Sequence, residues 1–180
     1  MHDVTEGGIL GAAWEAAKSN DIGLVVFDDS LPVTRPTEKI AKAFAKKVKC
    51  DLINLGEFKD NSIKIDNYDL IGFGSGVYKE SLSPKLKKIA ENLNLSGKNV
   101  FVFSTSGIGM KFYNKSLIKS LRAKGAIIIG SFACKGSFFA KEFSDNKIFD
   151  ILGRLSLGHP NTKDFNNAEI FMEKLIESVK

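Results

Sequence analysis

Three stretches of this 180-residue chain gather glycine and hydroxyl-bearing residues directly after a short apolar run. Gly74-Ser75-Gly76-Val77-Tyr78 follows Tyr68 to Phe73. Ser104-Thr105-Ser106-Gly107-Ile108-Gly109 follows Val100 to Phe103. Gly130-Ser131-Phe132-Ala133-Cys134-Lys135-Gly136 follows Ala126 to Ile129. Glycine lets a backbone come close to a flat ligand, and the N–H groups it exposes can donate to carbonyl or phosphate oxygens. Tyr78, just past a glycine-rich segment, is placed to stack on a ring. Each stretch alone is equally an ordinary turn between strand and helix, but three on one rim make a ligand site.

A fourth segment, Asp28-Asp29-Ser30-Leu31-Pro32-Val33-Thr34-Arg35-Pro36-Thr37, leads into a helix start. Ser30, Thr34 and Thr37 offer hydroxyls, Arg35 offers a charged donor, and a helix N-terminus favours anions. Against that, Asp28 and Asp29 repel a phosphate dianion, and the two prolines remove backbone donors. Other reactive side chains are sparse. His159 lies in a Gly-His-Pro-Asn turn and reads as a turn and cap residue, and His2 lies in the first residues of the chain. Cys134 is either a small structural residue or a thiol whose pKa is lowered by Lys135. Neither a Ser/His/Asp arrangement nor a Gly-x-x-x-x-Gly-Lys-[Ser/Thr] loop is present.

The elements that must position these residues follow a regular rhythm. Leu24 to Phe27 reads as a buried strand closed by Asp28 and Asp29. From Thr37 a helix puts Ile40, Phe44 and Val48 on one face. Asp51 to Leu55 is a second strand and Tyr68 to Phe73 a third. Ser83 and Pro84 supply an N-cap and a first-turn proline for a helix carrying Leu86, Ile89 and Leu93. Val100 to Phe103 is the fourth strand. A helix with Leu117, Ile118 and Leu121 then stops at Gly125, ahead of the fifth strand, Ala126 to Ile129. An irregular stretch runs to about Pro160, and a last helix aligns Ala168, Phe171, Met172, Leu175 and Val179. Strands alternating with amphipathic helices predict a parallel sheet covered on both faces, in the order 2-1-3-4-5. The ligand crevice of such a sheet lies outside the carboxyl ends of its strands.

Composition sets the class. One domain over residues 1–180 suits the length, with 43% hydrophobic residues for the core and 26% charged residues for the surface. No run reaches the ~18 apolar residues of a membrane span. The net charge of +5 comes from lysines spread over helix faces, such as Lys39, Lys42, Lys46 and Lys47. That is a solvated surface with no arginine-rich, nucleic-acid-like block. Two cysteines, Cys50 and Cys134, are too few for a disulfide framework. A cytoplasmic protein, with no membrane and no nucleic-acid partner, is expected.

The run YDLIGFGSGVYKESLSPKLKKIAENL, Tyr68 to Leu93, resembles the second flavin loop of flavodoxin-family proteins, usually Y-D-x-I-x-x-G-S-P-x-Y before a Ser-Pro-x-Leu helix start; Gly76 stands where proline is common. FVFSTSG, Phe101 to Gly107, is similar to the family's third loop. GSFACKG (Gly130 to Gly136) and LSLGHPNTKDFNNAEIFMEKL (Leu155 to Leu175) resemble a bacterial subgroup of small flavodoxin-like proteins. The resemblance covers residues 23–180 and implies a three-layer α/β sandwich holding noncovalent FMN. It implies one- or two-electron transfer, with a redox partner protein or a small-molecule acceptor. It further implies that Tyr78 stacks on the ring system and that the backbone of Gly74 to Val77 and of Ser106 to Gly109 borders it. Thr105 and Ser106 would be polar contacts. Ser30, Thr34, Arg35 and Thr37 would stand at the phosphate, where the family's S/T-x-T-G-N-T loop is missing.

Residues 1–22 add a helix carrying Ile9, Leu10, Ala13, Trp14 and Ala17. MHDVTEGGILGAAWEAA, and with it GLVVFDDSLPVTRPTEKIAKAF, resembles the AIR-synthase-related family, which includes an ATP-binding hydrogenase-maturation protein. That resemblance implies a chimera over residues 1–44, the alternative being an unusual flavodoxin-like protein with a helical N-terminal extension. Two rivals to an FMN redox protein follow. One is a folded chimera with weak or no FMN binding. The other is a nucleotide-binding fragment using Asp3 to Gly8, where Asp3 and Glu6 are the only candidates for a metal and no metal is expected.

Overall fold

A computed structural model of the chain describes residues 22–29, 35–57, 63–78, 80–137, 153–154 and 156–179. The helix expected within residues 1–22 lies almost wholly outside them. Five parallel strands form the sheet in the order β2-β1-β3-β5-β6, with β4 paired to β3 at its end. They are β1 (Ile22–Asp28), β2 (Cys50–Asn54), β3 (Tyr68–Tyr78), β4 (Ser81–Leu82), β5 (Asn99–Ser106) and β6 (Ile127–Lys135). Without the two-residue β4, this is the 2-1-3-4-5 arrangement the alternation predicts. Helices on both faces complete three layers, among them α1 (Pro36–Lys47), α2 (Pro84–Asn92), α3 (Lys115–Ala123) and α4 (Thr162–Val179).

The middles of the central strands are apolar because a parallel sheet is buried on both faces. Leu24, Val26, Ile71, Phe73, Val100 and Val102 meet Leu86 and Ala90 of α2 and Leu117 and Leu121 of α3 on one side. On the other, Val25, Phe27, Phe101, Phe103 and Phe132 meet Ile40, Ala41 and Phe44 of α1 and Ala168, Met172 and Leu175 of α4. Phe44 stands edge-on to Phe101, Phe103 and Phe132, with centroids 5.5, 5.0 and 5.7 Å away, the geometry aromatic quadrupoles favour. Lys47 ties α1 to α4 through Glu173 at 3.0 Å.

Three strands run further than their composition suggests, and β5 takes in Ser104, Thr105 and Ser106, which read as loop residues. Gly-Ser-Gly after Phe73 reads as a turn, yet β3 continues to Tyr78. The reason is steric: a Cβ at Gly72 would lie 2.4 Å from Phe101 Cζ, and one at Gly74 would lie 2.1 Å from the Phe103 ring. These glycines make room for two phenylalanines on the neighbouring strand. The fifth parallel strand likewise runs to Lys135 instead of ending at Ile129. A Cβ at Gly130 would lie 2.7 Å from Leu175 Cδ2 and 3.0 Å from Phe171 Cζ, so that glycine seats α4. Gly74 and Gly130 are packing residues, and neither opens a ligand loop.

The helices are held at their starts by side chains. Ser83 caps α2, its Oγ accepting from the Leu86 N–H at 3.4 Å and donating to the Asp28 carboxylate. Asn114, wholly buried at the head of α3, donates from Nδ2 to the Phe132 carbonyl (2.9 Å) and to Ser131 Oγ (3.0 Å). At α4, Asn161 Oδ1 accepts from the Asp164 N–H (3.2 Å) and Asp164 Oδ2 accepts from the Asn161 N–H (2.9 Å), a reciprocal cap. His159 Nδ1 lies 2.5 Å from the same Asp164 oxygen, which fits its reading as a turn and cap residue.

Gly74→Ala should cost about 2–3 kcal/mol of unfolding free energy by overpacking, measured in urea melts; an unchanged midpoint would mean that the Phe103 ring yields freely. Ser83→Ala, which removes a cap and a partner of a buried carboxylate, should cost about 1–2 kcal/mol in the same melts.

Candidate functional site

Parallel registry brings the candidate residues to one rim. Asp28 of β1 stands beside Ser75 of β3, Ser75 beside Ser104 of β5, and Ser104 beside Ala133 of β6. One step further out, Gly76 pairs with Thr105 and Thr105 with Cys134. The segments leaving β3 and β5 therefore emerge side by side from the carboxyl edge, as the ligand-site expectation requires.

Strand alternation puts Asp28, Ser75 and Ser104 on the α2–α3 face, and all three are buried. They form a polar rung. Ser75 Oγ accepts from the Ser83 N–H (2.9 Å) and donates to the Gly76 carbonyl (2.6 Å), while Ser83 donates to Asp28. Ser104 Oγ, 1% exposed, has no hydrogen-bond partner among the described residues. A buried unpaired hydroxyl costs about 1–3 kcal/mol, so this one is capacity left unspent one step below the rim.

The opposite face carries Thr105. Its Oγ1 lies 2.8 Å from Oγ1 of Thr37, and both residues are almost fully buried. This bond fastens the first turn of α1 to the end of β5. Gly136 closes the same corner: a Cβ there would lie 2.8 Å from Pro36 Cβ and 3.0 Å from Thr105 Cβ, and its N–H donates to the Ser106 carbonyl at 2.9 Å.

Beyond β5 the chain turns tightly. Ser106 Oγ accepts from the Gly109 N–H at 2.9 Å. Gly109 has φ +66°, and a Cβ on it would lie 2.8 Å from the backbone of Cys134 and Lys135. Glycine is required there on both counts. Gly107 lies in this turn, half-buried. Next to it Ile108, Met110 and Phe112 are exposed, at 37%, 50% and 44%. Met110 and Phe112 are not among the candidate residues read from the sequence, and their signal is large apolar side chains directly after a glycine turn.

On the β3 side, Val77 pairs with Leu82 and Tyr78 with Ser81 in a short antiparallel hairpin, with Glu80 at φ 64°. The side chain of Tyr78 lies outside the described residues, as do Ser30 and Thr34. Arg35 is at the rim but engaged: its guanidinium is 3.2 Å from Glu38 and 3.3 Å from Glu57. The hydrogen bond from Lys42 is the main cause that holds the Glu38 carboxyl below its ordinary pKa, with Arg35 adding to it. Asp29 Oδ2 accepts from the Glu38 N–H at 2.9 Å, at the position where a helix start would receive an anion.

Cys134 is not an activated thiol. Burial pushes its pKa up, and the charge of Asp164 adds to that, so the neighbouring Lys135 does not produce a thiolate. Cys50, also largely buried, is pushed up to about 12. No helix among the described residues is long and apolar enough to cross a membrane.

Comparisons with known proteins agree with this architecture. Residues 36–132 match the family described as Flavodoxin domain. An uncharacterized protein of Methanocaldococcus jannaschii is 34% identical over 144 residues, covering 79% of this chain and 91% of that one. The flavodoxin-like domain-containing protein BilS of Clostridioides difficile is 30% identical over 110 residues, 58% of this chain and 61% of its own. Among solved structures, a flavodoxin from the domain Archaea superposes with a TM-score of 0.60 at 16% identity, covering 88% of this chain and 98% of its own. None of these matches supports a second family at residues 1–44. With the strand order, the rim of glycine and hydroxyl residues and the family match all in agreement, this chain belongs to the flavodoxin domain family.

Proposed function

We propose that this chain is an FMN-binding redox protein that works in electron transfer or in flavin-dependent reduction, holding the flavin at the carboxyl rim of β3 and β5. The observation that carries this reading is the pairing of Gly76 with Thr105, which sends the two candidate segments out of the sheet side by side. The donor set suits the ring half of a flavin. It combines small residues that a flat ring can approach, the tight turn at Gly109, an unspent hydroxyl on Ser104 and an exposed apolar margin at Ile108, Met110 and Phe112. In this reading the backbone of Gly76 to Tyr78 and of Thr105 to Gly109 borders the ring system, and Tyr78 is its aromatic partner. The bound flavin supplies the one- or two-electron chemistry; the protein supplies position and electrostatics.

The chain's own part is to fix that rim and to keep it partly dry. Thr37 and Thr105 hold α1 against β5, and the Asp28–Ser83–Ser75 network fixes where the β3–β4 hairpin leaves the sheet. The electron acceptor is either a protein partner or a small molecule. The net charge of +5 favours anionic partners of either kind.

A second reading is favoured by one observation, the Asp29 carboxylate at the start of α1. In that reading the chain is a composite whose altered first loop weakens FMN binding. Exchanging residues 30–37 for a Ser-x-Thr-Gly-Asn-Thr loop separates the two. FMN binding by the unaltered chain supports the redox reading; binding that appears only after the exchange supports the composite.

Added FMN should bind the purified protein and lose its fluorescence. Gly109→Ala, which strains the Ser106–Gly109 turn, should weaken that binding on the order of 10-fold, equivalent to ~1.4 kcal/mol, with the fold retained by circular dichroism. Protein that stays colourless and leaves FMN fluorescence unchanged would contradict the flavin reading.

A further inference from the structure

We infer that Asp29 is the chain's own occupant of the anion position at the start of α1, so that this site recognises a flavin by its ring system and gains little from its phosphate. The inference rests on the flavin reading above and deepens it, since it names which part of the cofactor is recognised.

A helix start attracts an anion through N–H groups that have no partner within the helix. At α1 one of those groups is missing and another is already spent, and the helix's own ladder begins directly after them. Pro36, the first residue, has no N–H. The Glu38 N–H donates to Asp29 Oδ2 at 2.9 Å, and the Lys39 N–H already bonds to the Arg35 carbonyl at 3.1 Å. The Thr37 hydroxyl, the natural side-chain donor of the first turn, is buried in its bond with Thr105. Pro36 itself is packed where a Cβ on Gly136 would lie 2.8 Å from it, which closes the corner from below.

The charges point the same way. Asp28 and Asp29 end β1, Glu38 lies in the first turn, and Glu57 reaches Arg35 from the segment after β2. Arg35 is divided between Glu38 and Glu57, and Lys42 is paired with Glu38 at 2.6 Å. Lys39, exposed on α1, is the remaining cation of the turn. A phosphate dianion arriving here would have to displace a carboxylate from its N–H and then sit beside it. A flavin without a phosphate meets no such opposition, because the ring half of the site is formed by other residues.

The test compares riboflavin with FMN by fluorescence quenching, in the wild-type chain and in Asp29→Asn, at low and high salt. Asparagine caps a helix about as well as aspartate, so α1 is preserved, and a melting curve checks this; Asp29→Ser is the second variant. The wild type should bind the two flavins within about threefold of each other, the small difference between them shrinking further as salt screens the repulsion. Asp29→Asn should tighten FMN on the order of 10-fold by removing a like charge at close range, and should leave riboflavin unchanged. If the wild type prefers FMN by on the order of 100-fold, or if neither variant alters FMN binding, Asp29 does not hold the anion position. If neither flavin binds any of the three proteins, the flavin reading fails and this inference fails with it.

Discussion

The hydrogen bond between Thr37 and Thr105 is the constraint on which the functional end of this protein depends. Both hydroxyls are buried, so each would be left unsatisfied if the other were lost. Because Thr105 ends β5 and Thr37 opens α1, the bond sets how far the helix start stands from the rim. Gly136 and Pro36 pack against the same pair, and so the end of β6 is fixed by it too. Three segments distant in sequence thus meet at one corner through two hydroxyls and one missing side chain.

Behind that corner lies an aromatic layer. Phe44 of α1 touches phenylalanines of β5 and β6, and Phe171 of α4 lies against Phe101 and Phe132. Large rings on β5 require an absence on β3, which Gly72 and Gly74 provide. This close aromatic packing gives the rim its base. The opposite face works differently: its polar rung of Asp28, Ser75 and Ser104 is tied to the cap of α2, so the hairpin after β3 is held by hydrogen bonds.

Much of this was legible in the residues. The alternation of apolar runs and amphipathic helices gave the sheet order, since right-handed crossovers leave few alternatives. Ser83 with Pro84 marked the start of α2 correctly, and Gly107 and Gly109 marked the turn after β5, although Ser104 to Ser106 belong to the strand itself. The misreadings share a cause. Gly74 and Gly130 look like turn residues in one dimension because glycine's commonest role is to bend a chain; here each answers to a bulky side chain far away in sequence, and only the folded pairing reveals which. The Thr37–Thr105 bond spans 68 positions and has no local signature. The charge at the start of α1 was visible as two aspartates, but that one of them would bond the Glu38 N–H depends on how β1 delivers it. Of the two readings left open for Cys134, burial and Asp164 favour the small structural residue over a thiol activated by Lys135.

The carboxyl edges of β3 and β5 are the proposed seat of the flavin ring. Amide chemical-shift mapping on addition of FMN tests that placement most directly. The largest shifts should fall at Gly76, Val77, Ser106, Gly107 and Gly109, with smaller ones at Thr37 and Glu38. Shifts concentrated at the other pole of the sheet, around Leu95, Gly97 and Asn99, would contradict it.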